Sequence, residues 1–247
     1  MRYLVISDIH GNWEALEAVL AASSTDGVDQ VLFLGDLVGY GASPNEVVAK
    51  ISEITTSKGV VRGNHDKVIA GIETSGGFNS VARWAADWTS ETLSAENLDY
   101  VRRLPKGPVQ VSRGVVICHG SPLDEDDYLL GVDDAEQVFA GKPAPMTFFG
   151  HTHVPMLLTA DRGRISATSL EGDALTVEID PDKRYLVNPG SVGQPRDRDP
   201  RAAYLIYDTN DGRIIWRRQD YELEKAQRRI LDSGLPQVLA YRLAAGI

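Results

Sequence analysis

The sequence predicts an α/β protein in which two packed sheets carry helices on their outer faces, within one domain. Three observations support that class. Five short apolar runs each lead straight into small, polar or metal-competent residues; helical patterns separate the first three; and from residue 155 the texture turns to short strands with turn signals. Continuous apolar runs of about four residues, bounded by turn residues, suit strands buried on both faces.

The first run is Tyr3 to Ile6, ahead of Ser7-Asp8-Ile9-His10. A helix follows over residues 12–21, where Trp13, Leu16, Val19 and Leu20 share one face of 3.6-residue period. The second run, Val31 to Leu34, precedes Gly35-Asp36. The next helix starts near Pro44, with Ser43 as N-cap and Glu46 three residues later in capping-box position. The third run, Gly59 to Val61, leads into Arg62-Gly63-Asn64-His65-Asp66 and completes β-α-β-α-β, which the chirality rule makes a right-handed parallel unit.

Residues 78–104 read as two amphipathic helices, Asn79 to Leu93 and Ala95 to Leu104, with Ser94 capping the second and Pro105 and Pro108 closing the segment. Trp84 and Trp88 lie four apart and read as core contacts rather than a base-stacking platform. The segment forms a helical insertion beside the sheet. The fourth and fifth runs are Val115 to Cys118 before His119-Gly120, and Met146 to Phe149 before Gly150-His151-Thr152-His153. Strands follow at Met156 to Thr159, Ala174 to Ile179 and Tyr185 to Val187, then a hairpin-like pair, Ala203 to Tyr207 and Arg213 to Trp216, joined through Asn210-Asp211-Gly212. A helix from Glu222 to Leu231 ends at Gly234, and a Pro236-led helix completes a helical tail near 222–246.

With 247 residues, 43% hydrophobic and 24% charged, the chain can bury a sizeable core without staples, which excludes disorder as its main state. Its single cysteine, Cys118, excludes a disulfide scaffold and suits a reducing cytosol. No apolar stretch is long enough for a membrane span or a signal h-region. A net charge of −10 repels phosphate backbones at long range and disfavours nucleic acid as a partner. Bound divalent cations would reverse that sign locally.

The chain has five histidines, His10, His65, His119, His151 and His153, and each lies within a few residues beyond a predicted strand end. Metal ligation and acid–base work need such side chains on loops at the carboxyl edge of a sheet, where α/β proteins place their ligands. Asp8-Ile9-His10 puts a carboxylate and an imidazole on one side of an extended backbone. Asn64-His65-Asp66 offers an amide oxygen, an imidazole and a carboxylate in sequence, and His151-Thr152-His153 places two imidazoles on one side. Taken singly, each of these also describes an ordinary turn or a pair of loop histidines. Their shared position at strand ends makes them one constellation. Cys118 points away from His119 and reads as a small buried apolar residue.

In this order the motifs resemble those of the calcineurin-like metallophosphoesterases: Asp-x-His at Asp8 and His10, Gly-Asp at Gly35 and Asp36, Gly-Asn-His-Asp/Glu at Gly63 to Asp66, a His before a small residue at His119, and Gly-His-x-His at Gly150 to His153. The later Asn188-Pro189-Gly190-Ser191-Val192-Gly193 resembles a loop of the small bacterial and archaeal phosphodiesterase-like members. The resemblance implies a four-layer α/β/β/α sandwich, with two central mixed sheets flanked by helices. It also implies two metal ions bridged by Asp36, with Asp8, His10 and His153 completing one site and Asn64, His119 and His151 the other. Mixed nitrogen and oxygen donors suit Mn, the first expectation, or Fe, Zn, Ni and Co, rather than Ca or Mg.

Two metals ~3.5–4 Å apart can bridge a hydroxide of lowered pKa for in-line attack on phosphorus. His65, without a ligand role in the family pattern, is left as the catalytic residue that protonates the leaving oxygen or stabilises charge on it. Asp66 is the nearest candidate to orient it, since protein phosphatases of the superfamily carry an Asp where this chain has Gly39. The segment Leu37 to Gly41 also lacks the arginine of those phosphatases. Asn12 at a helix start and Arg196 after the Gly-Ser-Val-Gly loop are candidate substrate contacts, while Arg62 reads as structural and the acidic run Asp124 to Asp127 as a solvated loop. The expected function is hydrolysis of a small phosphodiester or nucleotide phosphoanhydride. Phosphomonoesterase or protein phosphatase activity, and a non-catalytic scaffold on the same fold, are the alternatives; scaffolds of this type lose ligands, and this chain retains them all.

Overall fold

Alternate residues of the first strand face different partners, and that alternation sets the layers of the molecule. The computed structural model describes residues 1–247. In chain order it contains β1 (Arg2–Ile6), α1 (Trp13–Ser23), β2 (Gln30–Phe33), α2 (Pro44–Ile54), α3 (Asn64–Ile69), a 3-10 turn (Ser75–Gly77), α4 (Ser80–Thr92) and α5 (Ala95–Arg102). There follow β3 (Val109–Ser112), β4 (Val115–Ile117), α6 (Val132–Ala140), β5 (Met146–Phe148), β6 (Met156–Asp161), β7 (Arg164–Ser169), β8 (Ala174–Glu178), β9 (Arg184–Asn188), β10 (Ala202–Asp208), β11 (Arg213–Gln219), α7 (Leu223–Asp232) and α8 (Gln237–Ala245).

The first sheet runs β2-β1-β10-β11-β8 and the second β3-β4-β5-β9-β6-β7. Both are mixed: β1 pairs parallel with β2 and antiparallel with β10, while β4, β5 and β9 run parallel to one another. Tyr3, Val5, Leu205 and Trp216 of the first sheet meet Ile117, Phe148, Tyr185 and Val187 of the second in the layer between the sheets. On the outer face of the first sheet, Leu4, Ile6, Tyr204 and Ile206 pack on Leu16 and Val19 of α1 and on Val47, Val48 and Ile51 of α2. The outer face of the second sheet buries Cys118, Phe149, Leu158 and Leu186 against Ala135 and Val138 of α6. The expected α/β/β/α layering is therefore present.

Several elements differ from the sequence reading. Gly59 to Val61 is not a full strand; it meets β2 through a single parallel bridge, Phe33 to Val60, so the parallel unit has two strands and one bridge. Ser43 precedes α2 without a side-chain cap. Arg229 takes its place, donating to Ser43 Oγ at 3.0 Å and Glu46 Oε1 at 3.2 Å, so the capping box does not form. Ser94 and Asn79 do cap α5 and α4, accepting from Asn97 N and Ala82 N. Trp84 is not a core residue, being 58% exposed, whereas Trp88 packs beside Ala82 and Ala85. The acidic run is ion-paired rather than merely solvated: Glu125 is buried and receives two hydrogen bonds from Arg62, at 3.0 and 2.9 Å.

Candidate metal centre

Parallel pairing brings the carboxyl ends of β1, β2, β4, β5 and β9 to one edge, from which Asp8, His10, Asp36, His119, His151 and His153 leave, while Asn64 and His65 follow the Val60 bridge. The backbone bends sharply at the polar positions. Asp8, His10, Asp36, His151 and His153 all take left-handed conformations, with φ of 52°, 49°, 57°, 67° and 60°. Such strain persists in non-glycine residues only where the surroundings over-determine it. Here Asp8 N donates to Gly35 O, His10 N to Asp36 O, and Gly193 N to Asp8 O, each at 3.0 Å. The Asn188 to Gly193 loop acts as a bolt: Asn188 Nδ2 donates to Gly150 O at 2.8 Å, Ser191 Oγ to Asp8 O at 2.8 Å, and Trp216 Nε1 holds Pro189 O at 3.0 Å.

Two buried donor sets result, Asp8, His10, Asp36 and His153, and Asp36, His119 and His151, so the Asp36 carboxylate belongs to both. Asp36 Oδ2 lies 3.4 Å from His10 Nε2 and 3.6 Å from His119 Nε2. Asn64 Oδ1 stands 3.3 Å from His119 Nε2 and extends the second set. Three of the imidazoles are anchored from behind: Nδ1 of His10 meets Val38 O at 3.2 Å, that of His119 Leu34 O at 2.8 Å, and that of His153 Gln194 O at 2.6 Å. A carbonyl at Nδ1 keeps the proton there and turns the Nε2 lone pair inward.

That arrangement is compatible with a bound metal cation. His10 Nε2 and His153 Nε2 are 3.2 Å apart with both lone pairs directed inward, and Asp8 Oδ1 and His151 Nε2 are buried without a hydrogen-bond partner. Burial pushes His119 down to about 4 and His151 to about 2, and holds His10 and His153 well below the usual value, so all four are neutral donors. Burial also raises Asp8 to about 7 and Asp36 well above the usual carboxylate range, with Asp66 and Asp8 adding to the effect on Asp36. Converging lone pairs and carboxylates that resist ionisation are both stabilised by positive charge between them.

A family profile for the calcineurin-like phosphoesterase superfamily domain matches residues 1–212. The chain belongs to that superfamily of hydrolases. It is 38% identical to an uncharacterised protein of Methanocaldococcus jannaschii over 98% of this chain and 97% of that one. Among solved structures, a metallophosphoesterase from Sphaerobacter thermophilus superposes with a TM-score of 0.88 at 37% identity, covering 100% of this chain and 99% of the other. More distantly, it is 26% identical to the symmetrical bis(5'-nucleosyl)-tetraphosphatase of Sodalis glossinidius over 57% of this chain, which spans 50% of that protein's length.

In this phosphoesterase the remaining motif residues take distinct places. His65 lines a cleft of about 480 Å³ together with Asp36, Asn64, His151 and His153. Its ring is held by Tyr40 at 4.4 Å, Phe78 at 4.5 Å and His10 at 4.9 Å between centroids, with Nδ1 unpartnered and burial lowering it to about 3. Asp66 is not its partner. That carboxylate accepts from the backbone amides of Asp36, Leu37, Val38 and Gly63 at 2.9 to 3.3 Å, and so fixes the loop that carries Asp36. Gly63 must be glycine because a Cβ would stand 2.1 Å from Asp36 Oδ1, and Gly39 because its φ is +93° and a Cβ would stand 2.6 Å from His65 Nδ1.

Asn12 is drawn away from the cleft: its Oδ1 caps α1 at Ala15 N and its Nδ2 donates to Gly193 O at 3.0 Å. Arg196 does line the cleft, with Nε buried and unpartnered. The sequence reading overlooked Arg242, Tyr40, Phe78 and Tyr128, which share that lining; Tyr128 lies 3.9 Å from the His151 ring. None carries a motif signal: Tyr40 is an aromatic on the Asp36 loop, and Phe78, Tyr128 and Arg242 reach the cleft from other segments of the chain.

Proposed function

We propose that this chain holds two divalent transition-metal ions, Mn the first choice, and hydrolyses a small phosphodiester or nucleotide phosphoanhydride. One ion would be held by Asp8, His10, Asp36 and His153, the other by Asp36, Asn64, His119 and His151. The observation that carries this reading is the Asp36 carboxylate shared by two buried donor sets beside an open cleft. Metal ions in such a pair supply Lewis acidity toward phosphoryl oxygens and an activated water for in-line displacement.

The chain's own residues would do the rest. His65, neutral and with Nδ1 against Gly39, presents Nε2 to the cleft, which suits a hydrogen bond to the leaving oxygen as charge builds there. Arg196 gives a guanidinium for the phosphoryl group or its neighbour. A small substrate is favoured by overall charge: the whole chain carries −10, so remote phosphates of a long polyanion would meet acidic surface. A nucleotide substrate also agrees with the distant similarity to a bis(5'-nucleosyl)-tetraphosphatase. The lone, buried Cys118 suits a reducing compartment such as the cytosol, and no helix is long and apolar enough to cross a membrane.

The test is a hydrolysis panel with Mn-reconstituted protein at one salt concentration. A nucleotide-sized diester or dinucleoside polyphosphate is expected to give higher kcat/KM than a phosphopeptide or duplex DNA. The reading fails if the phosphopeptide or the DNA is the best substrate.

A further inference from the structure

We infer that Arg242 is a specificity-determining residue that binds a second phosphate of the substrate, so that the cleft favours a nucleoside phosphoanhydride over an isolated phosphodiester. The inference rests on the phosphoesterase reading of the Asp36 site and decides between its two substrate classes.

Arg242 lies on α8, beyond residues 1–212 that the family profile matches. Its position in the cleft is built by packing. Ala226 and Ile230 of α7, with Leu239 and Leu243 of α8, bury against Tyr40 from the Asp36 loop and Ala82 and Ala85 of α4. The end of the helix is tied to the loop that carries Arg196, since Arg198 N donates to Gly246 O at 2.8 Å. Gly246 has φ of +61°, and a Cβ there would stand 2.7 Å from Asp199 N, so this contact is as close as a backbone allows. Arg242 Nε donates to Ile247 O at 2.8 Å, and its guanidinium lies 5.7 Å from the Tyr40 ring centroid. These contacts aim the half-buried side chain while leaving its terminal nitrogens free of carboxylates.

Charge bookkeeping within the cleft supports an anionic occupant. Glu73 and Asp126 line it but are both paired with Lys67, at 2.8 and 2.5 Å. Arg196 and Arg242 line it too, and neither has an Asp or Glu carboxylate within ion-pair distance; Arg196 donates to Gln194 Oε1 at 3.3 Å. Two guanidiniums held in one partly enclosed space repel unless a multiply charged anion lies between them. An isolated diester carries one negative charge, which the Asp36 site with its metals would engage, and it leaves the second guanidinium without a partner. Adjacent phosphates supply one anion for each. A volume of about 480 Å³ falls within the usual range for nucleotide-sized ligands.

The experiment is isothermal titration of Mn-loaded protein with α,β-methylene-ADP, which resists hydrolysis between its phosphates, and with AMP, in wild type, Arg242→Gln and Arg242→Lys. Removing one charge-assisted contact is expected to weaken α,β-methylene-ADP about 10- to 100-fold in Arg242→Gln, with AMP changed by about two-fold at most. Arg242→Lys is expected to recover part of the loss, and it keeps the question answerable if the glutamine variant folds poorly. Equal weakening of both ligands, or no weakening of either, overturns the inference. Since binding is read without turnover, failure to hydrolyse any phosphoester would count against the phosphoesterase reading alone.

Discussion

The imidazole of His10, one of those around Asp36, sits within 5 Å of the imidazole of His65, yet the two are held by opposite means. His10, His119 and His153 each lean on a backbone carbonyl through Nδ1, which sets the tautomer and points a lone pair inward. His65 has no polar partner at Nδ1 and is clamped by the rings of Tyr40, Phe78 and His10. A ligand needs its proton fixed in one place, whereas a group that must assist a leaving oxygen needs its position fixed and its proton uncommitted. Under the proposed function the contrast in anchoring corresponds to a contrast in role, and it can be broken experimentally from either side.

The largest effect is expected from Asp36→Asn, which removes the carboxylate common to both donor sets. Metal stoichiometry, read by elemental analysis after dialysis, should fall below one ion per chain, and turnover should fall by at least about 10³-fold as several kcal/mol of charge stabilisation are lost. Retention of two ions would show that Asp36 is not shared. His65→Ala should leave the metal content of wild type intact and slow turnover by about 10²- to 10⁴-fold. Loss of metal in this variant would erase the distinction between the two kinds of histidine.

A smaller effect concerns acid stability. His65 is lowered to about 3 by burial, below the ordinary value of about 6.5 that the unfolded chain restores. Between those values the unfolded state binds the proton and the folded state does not, so folding stability falls as pH drops below about 6.5. The raised value of Asp8 acts in the opposite sense, favouring the folded state in acid, but it is present in both proteins and cancels on comparison. Urea unfolding of wild type and His65→Ala at pH 7 and pH 5.5 should therefore show the variant losing about 1 kcal/mol less on acidification. Parallel losses would mean that His65 is protonated freely in the folded protein.

Much of this centre was legible in the sequence because its residues follow strand ends, and strand ends can be found from short apolar runs such as Val31 to Leu34 and Met146 to Phe149. The layering was legible for the same reason. What escaped depends on contacts across long sequence separations. Asp66 reads as a candidate for orienting His65, but its acceptors are engaged by amides some 30 residues earlier, which no local pattern reveals. Arg229 displaces the capping box at Ser43 from 186 residues away. Strand β7 was missed because its residues are mostly exposed and give no apolar run, and α3 because its first turn consists of the motif itself, Asn64-His65-Asp66. Trp84 was misplaced since spacing defines a helix face without saying which side meets the core. Arg242 carried no signal, being one arginine on a helix whose docking on Tyr40 is purely tertiary.

The central claim is that one carboxylate joins two metal positions. Anomalous scattering from crystals of Mn-reconstituted protein tests it most directly. Two peaks are expected, one on either side of the Asp36 carboxylate, the first among Asp8, His10 and His153 and the second among Asn64, His119 and His151. A single peak at saturating Mn, or peaks away from Asp36, would contradict the account.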